Sequence, residues 1–193
     1  MLTFSQPNYV LRQAKENEAG LISYLRLASL LCLEMPSQSL AAIRTLMTAL
    51  PDIDAPLLAG GSYYLADKDG DLIGGGGWSL LPLRFRGDAL LDEAGRPAEL
   101  SMGSDAVLVR GFFLDPDIGR RGVGAGLLGQ IEESALRAGY SEAAIVVPAS
   151  AQLYYRSLGF KPVGKLALKL RGSDVLPLLQ MRKNLTFRLA IAA

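Results

Sequence analysis

Histidine is absent from all 193 residues, and there is one cysteine, Cys32. The first absence removes the Ser-His-Asp and Cys-His catalytic arrangements, histidine zinc ligation and the commonest general base together. The second excludes an internal disulfide framework and most cysteine-based metal sites, so no metal is expected. Cys32 lies in the apolar stretch LRLASLLCLEM and is expected as a packed small hydrophobe. Charge of one sign is also lacking: 20 Lys and Arg against 19 Asp and Glu leave a formal net charge of +1. No bulk field therefore points to nucleic acid or an anionic membrane as partner. No uninterrupted apolar stretch reaches membrane-spanning length, and MLTFSQPNYV lacks the basic region and apolar run of a signal peptide. The expectation is a soluble cytoplasmic protein.

What is present is the composition of a globular chain, 50% hydrophobic and 20% charged. The length suits one domain over residues 1–193 with its core in about 8–185. Residues 8–14 read as a short strand. Asn17 is placed to cap a helix to about Met35, with Leu21, Tyr24, Leu25, Ala28, Leu31 and Cys32 at helical spacing. Pro36 stops it, and Ser37 opens a second helix ended by Pro51. SYYLADKDGDLIGGGGWSLL reads as a hairpin turning at Lys68-Asp69-Gly70, and GGGG at 74–77 signals either close backbone approach or a bulge. Residues 82–105 form a long polar surface loop. AVLVRGFFLD is apolar enough for a central strand buried on both faces. A helix follows from about Val123 to Ala138, then the strand EAAIVVPAS, a short helix in SAQLYYRSLGF, and two closing strands, VGKLALKL and LPLLQMRK. Repeats and low-complexity tracts are absent from the sequence.

The chemistry concentrates in LDPDIGRRGVGAGLL, residues 114–128. A strand, a glycine turn and a helix aim free backbone N–H groups and a positive helix end at one point. Gly122 and Gly124 let the backbone approach a ligand, and Arg120 and Arg121 offer charge-assisted contacts. This reads as a diphosphate site or as an ordinary turn with solvated arginines. No lysine follows the glycines, so it is not a P-loop. GAGLLG at 124–129 fits G-x-G-x-x-G, but DPDIGRRGV separates it from its strand and the next strand ends in Pro148 and Ala149 without an acidic residue. ATP and NAD are therefore not expected ligands.

The order strand, D-P-D, R-R-G-V-G-A-G-L-L, helix, strand, Y-Y-R-S-L-G-F resembles the GNAT superfamily of acetyl-CoA-dependent N-acetyltransferases, sharply over about 107–164 and loosely over 8–80. The resemblance implies an α/β fold: a mixed, mostly antiparallel sheet of about six to seven strands flanked by about four helices. It implies acetyl-CoA as cosubstrate, a small-molecule or peptide amine as acceptor, direct transfer without metal, and is compatible with a homodimer. In the family's [Q/R]-x-x-G-x-[G/A] loop the glycines fall on Gly122 and Gly124, and the leading Gln/Arg position falls on Gly119. The cofactor would lie on Arg120, Arg121, Gly122, Val123, Gly124 and Ala125. Its pantetheine arm would bond the backbone of Phe112, Phe113 and Leu114, where that strand splays from the one holding Ile145 to Val147. The family's short-helix tyrosine falls on Tyr155, implying the acid that protonates the departing thiolate, with Tyr154 as packing. The family's asparagine before this helix is replaced by Pro148, and no residue is assigned as base; a water would carry the amine proton. Acceptor candidates are Tyr63, Tyr64, Trp78, Arg110 and the 82–105 loop, with Trp78 equally readable as core and Arg110 as a buried ion-pair partner. A non-catalytic acyl-CoA sensor on the same fold is the alternative.

Overall fold

In a computed structural model, residues 8–34, 53, 55–80, 90–98, 100, 103–118, 122–169 and 175–187 are described. The elements run β1 (Val10–Gln13), α1 (Ala19–Glu34), α2 (Ala55–Ala59), β2 (Tyr63–Lys68), β3 (Asp71–Ser79), β4 (Leu90–Leu91), β5 (Ala106–Leu114), α3 (Val123–Arg137), β6 (Glu142–Pro148), α4 (Gln152–Ser157), β7 (Lys161–Lys169) and β8 (Val175–Asn184). One eight-stranded sheet has the order β1-β2-β3-β5-β6-β8-β7-β4. Every neighbouring pair is antiparallel except β5 and β6. The mixed, mostly antiparallel α/β expectation holds, with one strand more than the upper count. The extra strand is β4, inside the predicted 82–105 loop. Asp92 accepts backbone N–H bonds from Ala94 and Arg96 and tightens a turn there, while Leu90 pairs with Leu168 at the sheet's edge and is buried. The predicted helix from Ser37 lies outside the described residues.

Period-two alternation separates two cores. Tyr64, Val107, Val109, Ala143, Ile145, Val147 and Met181 face α3, whose Leu127, Leu128, Ile131 and Ala135 recur at helical spacing and are all buried. Tyr63, Leu65 and Phe113 face the other way, against Ile22 of α1 and Leu57 and Leu58 of α2. Each such Val, Leu, Ile, Phe or Met side chain contributes about 1.5–3 kcal/mol by leaving water. The core face of α1 is rotated from the predicted one: Leu25 packs on the core as expected, but Ile22 and Ser29 are the buried residues, whereas Leu21, Tyr24 and Cys32 are exposed. Asn17 is not the cap either. It lies in a 3-10 turn, Glu16–Glu18, where Glu18 accepts the Lys15 N–H at 2.8 Å.

The glycine tract of β3 serves both purposes that its sequence suggests. Gly75 pairs with Phe113 and Gly77 with Arg110, so Gly76 stands opposite both Gly111 and Phe112, which is a β-bulge in β5. A Cβ at Gly75 would stand 2.5 Å from the Phe113 ring, and one at Gly76 2.9 Å from the Phe112 ring. The tract is therefore the floor on which the aromatics of β5 lie. At the bulge Gly111 takes φ +61°, which only glycine adopts freely, and its carbonyl accepts the Tyr63 hydroxyl at 2.7 Å.

Candidate active site

The central feature is a gap inside the sheet. β5 and β6 pair only from Ala106–Leu108 to Glu142–Ala144, although β5 continues to Leu114 and β6 to Pro148. Beyond Leu108 and Ala144 the two strands no longer pair, and the unpaired stretches include Phe112–Leu114 and Ile145–Val147, where the splay is expected. The edges that face each other there lack ladder partners, an arrangement suited to a ligand that carries its own amides. The open end of the gap leads to the N-terminus of α3. Gly122 precedes that helix in the left-handed region, φ +78°, and among the described residues, its chain neighbours aside, no atom lies within 4 Å of where its Cβ would stand. The first intrahelical bond runs from the Gly126 N–H to the Gly122 carbonyl, 2.9 Å. The N–H groups of Val123, Gly124 and Ala125 precede it and point out of the helix end. An open, left-handed cap on a 15-residue helix fits a diphosphate.

Of the predicted cofactor residues, Leu114 at the end of β5 packs on Val123 and lies against Gly124 at the start of α3. Arg120 and Arg121 lie outside the described residues. Phe113 turns toward α1, whereas Phe112 packs on the α3-side core and meets the Tyr155 ring edge-on, with centroids 6.1 Å apart. Tyr155 is buried among Phe112, Tyr154 and Phe160. It thus stands at the bulge. Tyr154 reaches further along the gap: its hydroxyl occupies the space a Cβ at Gly124 would fill, and burial raises its pKa. Gly124 therefore admits a phenol as well as a backbone approach. Gly126 does the same for the Tyr9 hydroxyl, whose pKa is also raised by burial. No spacing rule in the sequence links Tyr9 or Tyr154 to these glycines, nor Ser29, which donates to the Leu114 carbonyl at 2.6 Å and ties α1 to the end of β5. Asp115 accepts the Asp117 N–H at 2.8 Å and caps the D-P-D turn.

The acceptor candidates divide. Tyr63 is fully buried, its ionisation pushed upward by burial, and it braces the bulge rather than lining a surface. Tyr64 is core on the α3 side. Trp78 is on that side too: Nε1 donates to Ser134 Oγ at 3.0 Å and the indole packs on Tyr140. Arg110 lies in the row of Tyr63 and Gly77, on the α1 face. The structure therefore joins Arg110 with Tyr63 and separates both from Trp78. A cleft of about 540 Å³ opens between Leu21 and Leu25 of α1, the Lys68–Leu72 turn and Asp115, and contains none of these three. Among the described residues no group of His, Cys, Asp and Glu is arranged for a metal, and no helix is long and apolar enough to cross a membrane.

The model of the Acetyltransferase (GNAT) family matches residues 10–160, and the chain belongs to that family, whose chemistry is acetyl transfer. The fold is similar to a GCN5-related N-acetyltransferase from Rhodopseudomonas palustris (TM-score 0.64, 17% identity, covering 96% of this chain and 99% of that one). It is also similar to yncA from Salmonella typhimurium, solved with its cofactor acetyl-CoA (TM-score 0.59, 16% identity, 96% and 99% covered). A third similar structure is the PaiA N-acetyltransferase from Thermoplasma acidophilum in complex with coenzyme A (TM-score 0.60, 16% identity, 91% and 98% covered). At these identities the likeness is one of fold. No curated protein matches the chain.

Proposed function

We propose that the protein transfers the acetyl group of acetyl-CoA directly to an amine. The observation that carries this reading is the parting of β5 from β6 beyond Leu108 and Ala144, with the glycine-capped start of α3 at its open end. The diphosphate lies on the α3 cap at Gly122 to Ala125, joined by Arg120 and Arg121. The pantetheine arm runs along Phe112–Leu114 and brings the thioester to the bulge. The amine nitrogen attacks the thioester carbonyl, the N–C bond forms and the C–S bond breaks. The amine gives its proton to water, and Tyr155 gives its phenolic proton to the departing thiolate. A phenol fits that task because its ordinary pKa lies above that of a thiol, so the proton is held until the sulfur needs it.

The test is incubation with acetyl-CoA and a panel of amines, following free thiol and acetylated product by mass spectrometry. Stoichiometric thiol and N-acetyl product support the reading. Tight acetyl-CoA binding with no turnover on any amine favours the acyl-CoA sensor instead.

A further inference from the structure

Arg110 is a buried arginine, 8% exposed, one residue before the bulge. Among the described residues its guanidinium meets one polar group, Ser79 Oγ at 3.5 Å, and makes no ion pair. None of the described residues supplies the ion pair that the sequence also allows. The location is specific. Arg110 is directly opposite Gly77, which is opposite Tyr63, so it lies on the α1 face of the sheet, away from α3. On its other flank it belongs to the stretch Val109–Leu114 that has no partner on β6. A charge removed from water without a counter-ion is costly, and arginine does not escape by losing its proton. No described residue supplies the counter-ion, and an anionic ligand would.

We infer that Arg110 is the acceptor's anchor and that the acceptor is an amine bearing a carboxylate, of the amino-acid class. This rests on the acetyl-transfer reading above. The diphosphate cradle is at the start of α3, so an acceptor reaches the bulge from the face where Arg110 stands. A guanidinium fork matches the two oxygens of a planar carboxylate, and one arginine balances one negative charge. Ser79, which accepts from the guanidinium, is on the same face of the sheet, in the neighbouring row opposite Leu108.

The experiment compares matched amines: phenylalanine with phenethylamine, and lysine with cadaverine, with phosphoethanolamine as the phosphorylated arm. Acetyl-CoA binding is measured first by calorimetry. The carboxylated member of each pair should be preferred at least tenfold in kcat/KM, carried by KM, and Arg110→Gln should collapse that preference to about unity. Equal rates within the pairs, a preference that survives Arg110→Gln, or phosphoethanolamine as the best acceptor would overturn the assignment while leaving acetyl transfer standing. No acetyl-CoA binding overturns both together. A second readout needs no acceptor: because Arg110→Met removes an uncompensated charge and keeps an apolar stem, its unfolding temperature should equal or exceed that of the wild type. A lower unfolding temperature would mean that the fold itself balances Arg110, and the inference fails.

Discussion

Replacing Gly111 with alanine attacks the bulge between β3 and β5, in the stretch of β5 that no longer pairs with β6, and two costs add. The first is conformational: φ +61° costs an L-residue about 1–2 kcal/mol. The second is steric, since the new Cβ would stand 2.5 Å from Ile53 Cδ1 and 3.1 Å from both Cε2 and the hydroxyl of Tyr63. Ile53 can rotate its terminal methyl. Tyr63 has nowhere to go, being fully buried and donating to the carbonyl of Gly111 itself. Overpacking of this kind costs about 1–3 kcal/mol, so the total is about 3 kcal/mol. Gly70→Ala is the control: Gly70 has φ +93° with no atom within 4 Å of its Cβ position, so only the backbone cost applies. Urea unfolding with unchanged slope should place Gly111→Ala about 1–3 kcal/mol below Gly70→Ala. Acetyl-CoA affinity should fall as well, because a flattened β5 re-pairs with β6 across the gap. Equal losses for the two variants would refute the steric argument, and unchanged affinity in Gly111→Ala would refute the role of the bulge.

Tyr155→Phe should lower kcat by about a hundredfold, the lower end for a positioned acid because a thiolate leaves readily, whereas Tyr154→Phe should change turnover little; steady-state kinetics of both variants decide the assignment. Lys183→Met leaves Glu132 buried beside β8 without the ammonium that now pairs with it at 2.5 Å, and chemical denaturation should show a loss of about 3 kcal/mol. The Glu18 carboxyl is held below its ordinary pKa chiefly by the Arg12 hydrogen bonds, at 2.7 and 2.9 Å. Its contribution is therefore complete above the ordinary glutamate range and is lost as pH falls through the lowered value, so Glu18→Gln should reduce the drop in unfolding temperature between about pH 6 and about pH 3.

The elements with strong periodicity were legible in the sequence. AVLVRGFFLD and EAAIVVPAS are the two central strands, and the spacing of Leu127, Leu128, Ile131 and Ala135 is the buried stripe of α3. Around α1 the pattern misled, because that helix carries apolar residues on more than one face and Ile22 and Ser29 are the buried ones. Leu90 and Leu91 escaped notice because two residues cannot display alternation, and their pairing with β7 is decided across the fold. At the site, the glycines at 122 and 124 marked the start of α3, but which atoms fill the space they leave is a tertiary fact: open space at Gly122, the Tyr154 hydroxyl at Gly124. Tyr63, Trp78 and Arg110 looked equivalent as polar-capable groups near the central strands. Only the register, with Gly77 opposite both Tyr63 and Arg110 and Trp78 one residue out of phase, sorts them onto opposite faces.

Calorimetric titration with acetyl-CoA, run on the wild type and on Gly124→Asp, tests the central claim most directly. The account predicts saturable one-site binding for the wild type and no comparable heat with ATP or NAD. In Gly124→Asp a carboxylate enters the first turn of α3, and affinity should fall at least about tenfold, equivalent to about 1.4 kcal/mol. Circular dichroism shows whether the variant is folded. Tighter binding of NAD than of acetyl-CoA, or undiminished acetyl-CoA affinity in a folded Gly124→Asp protein, would contradict the assignment of the α3 cap as the cofactor's diphosphate site.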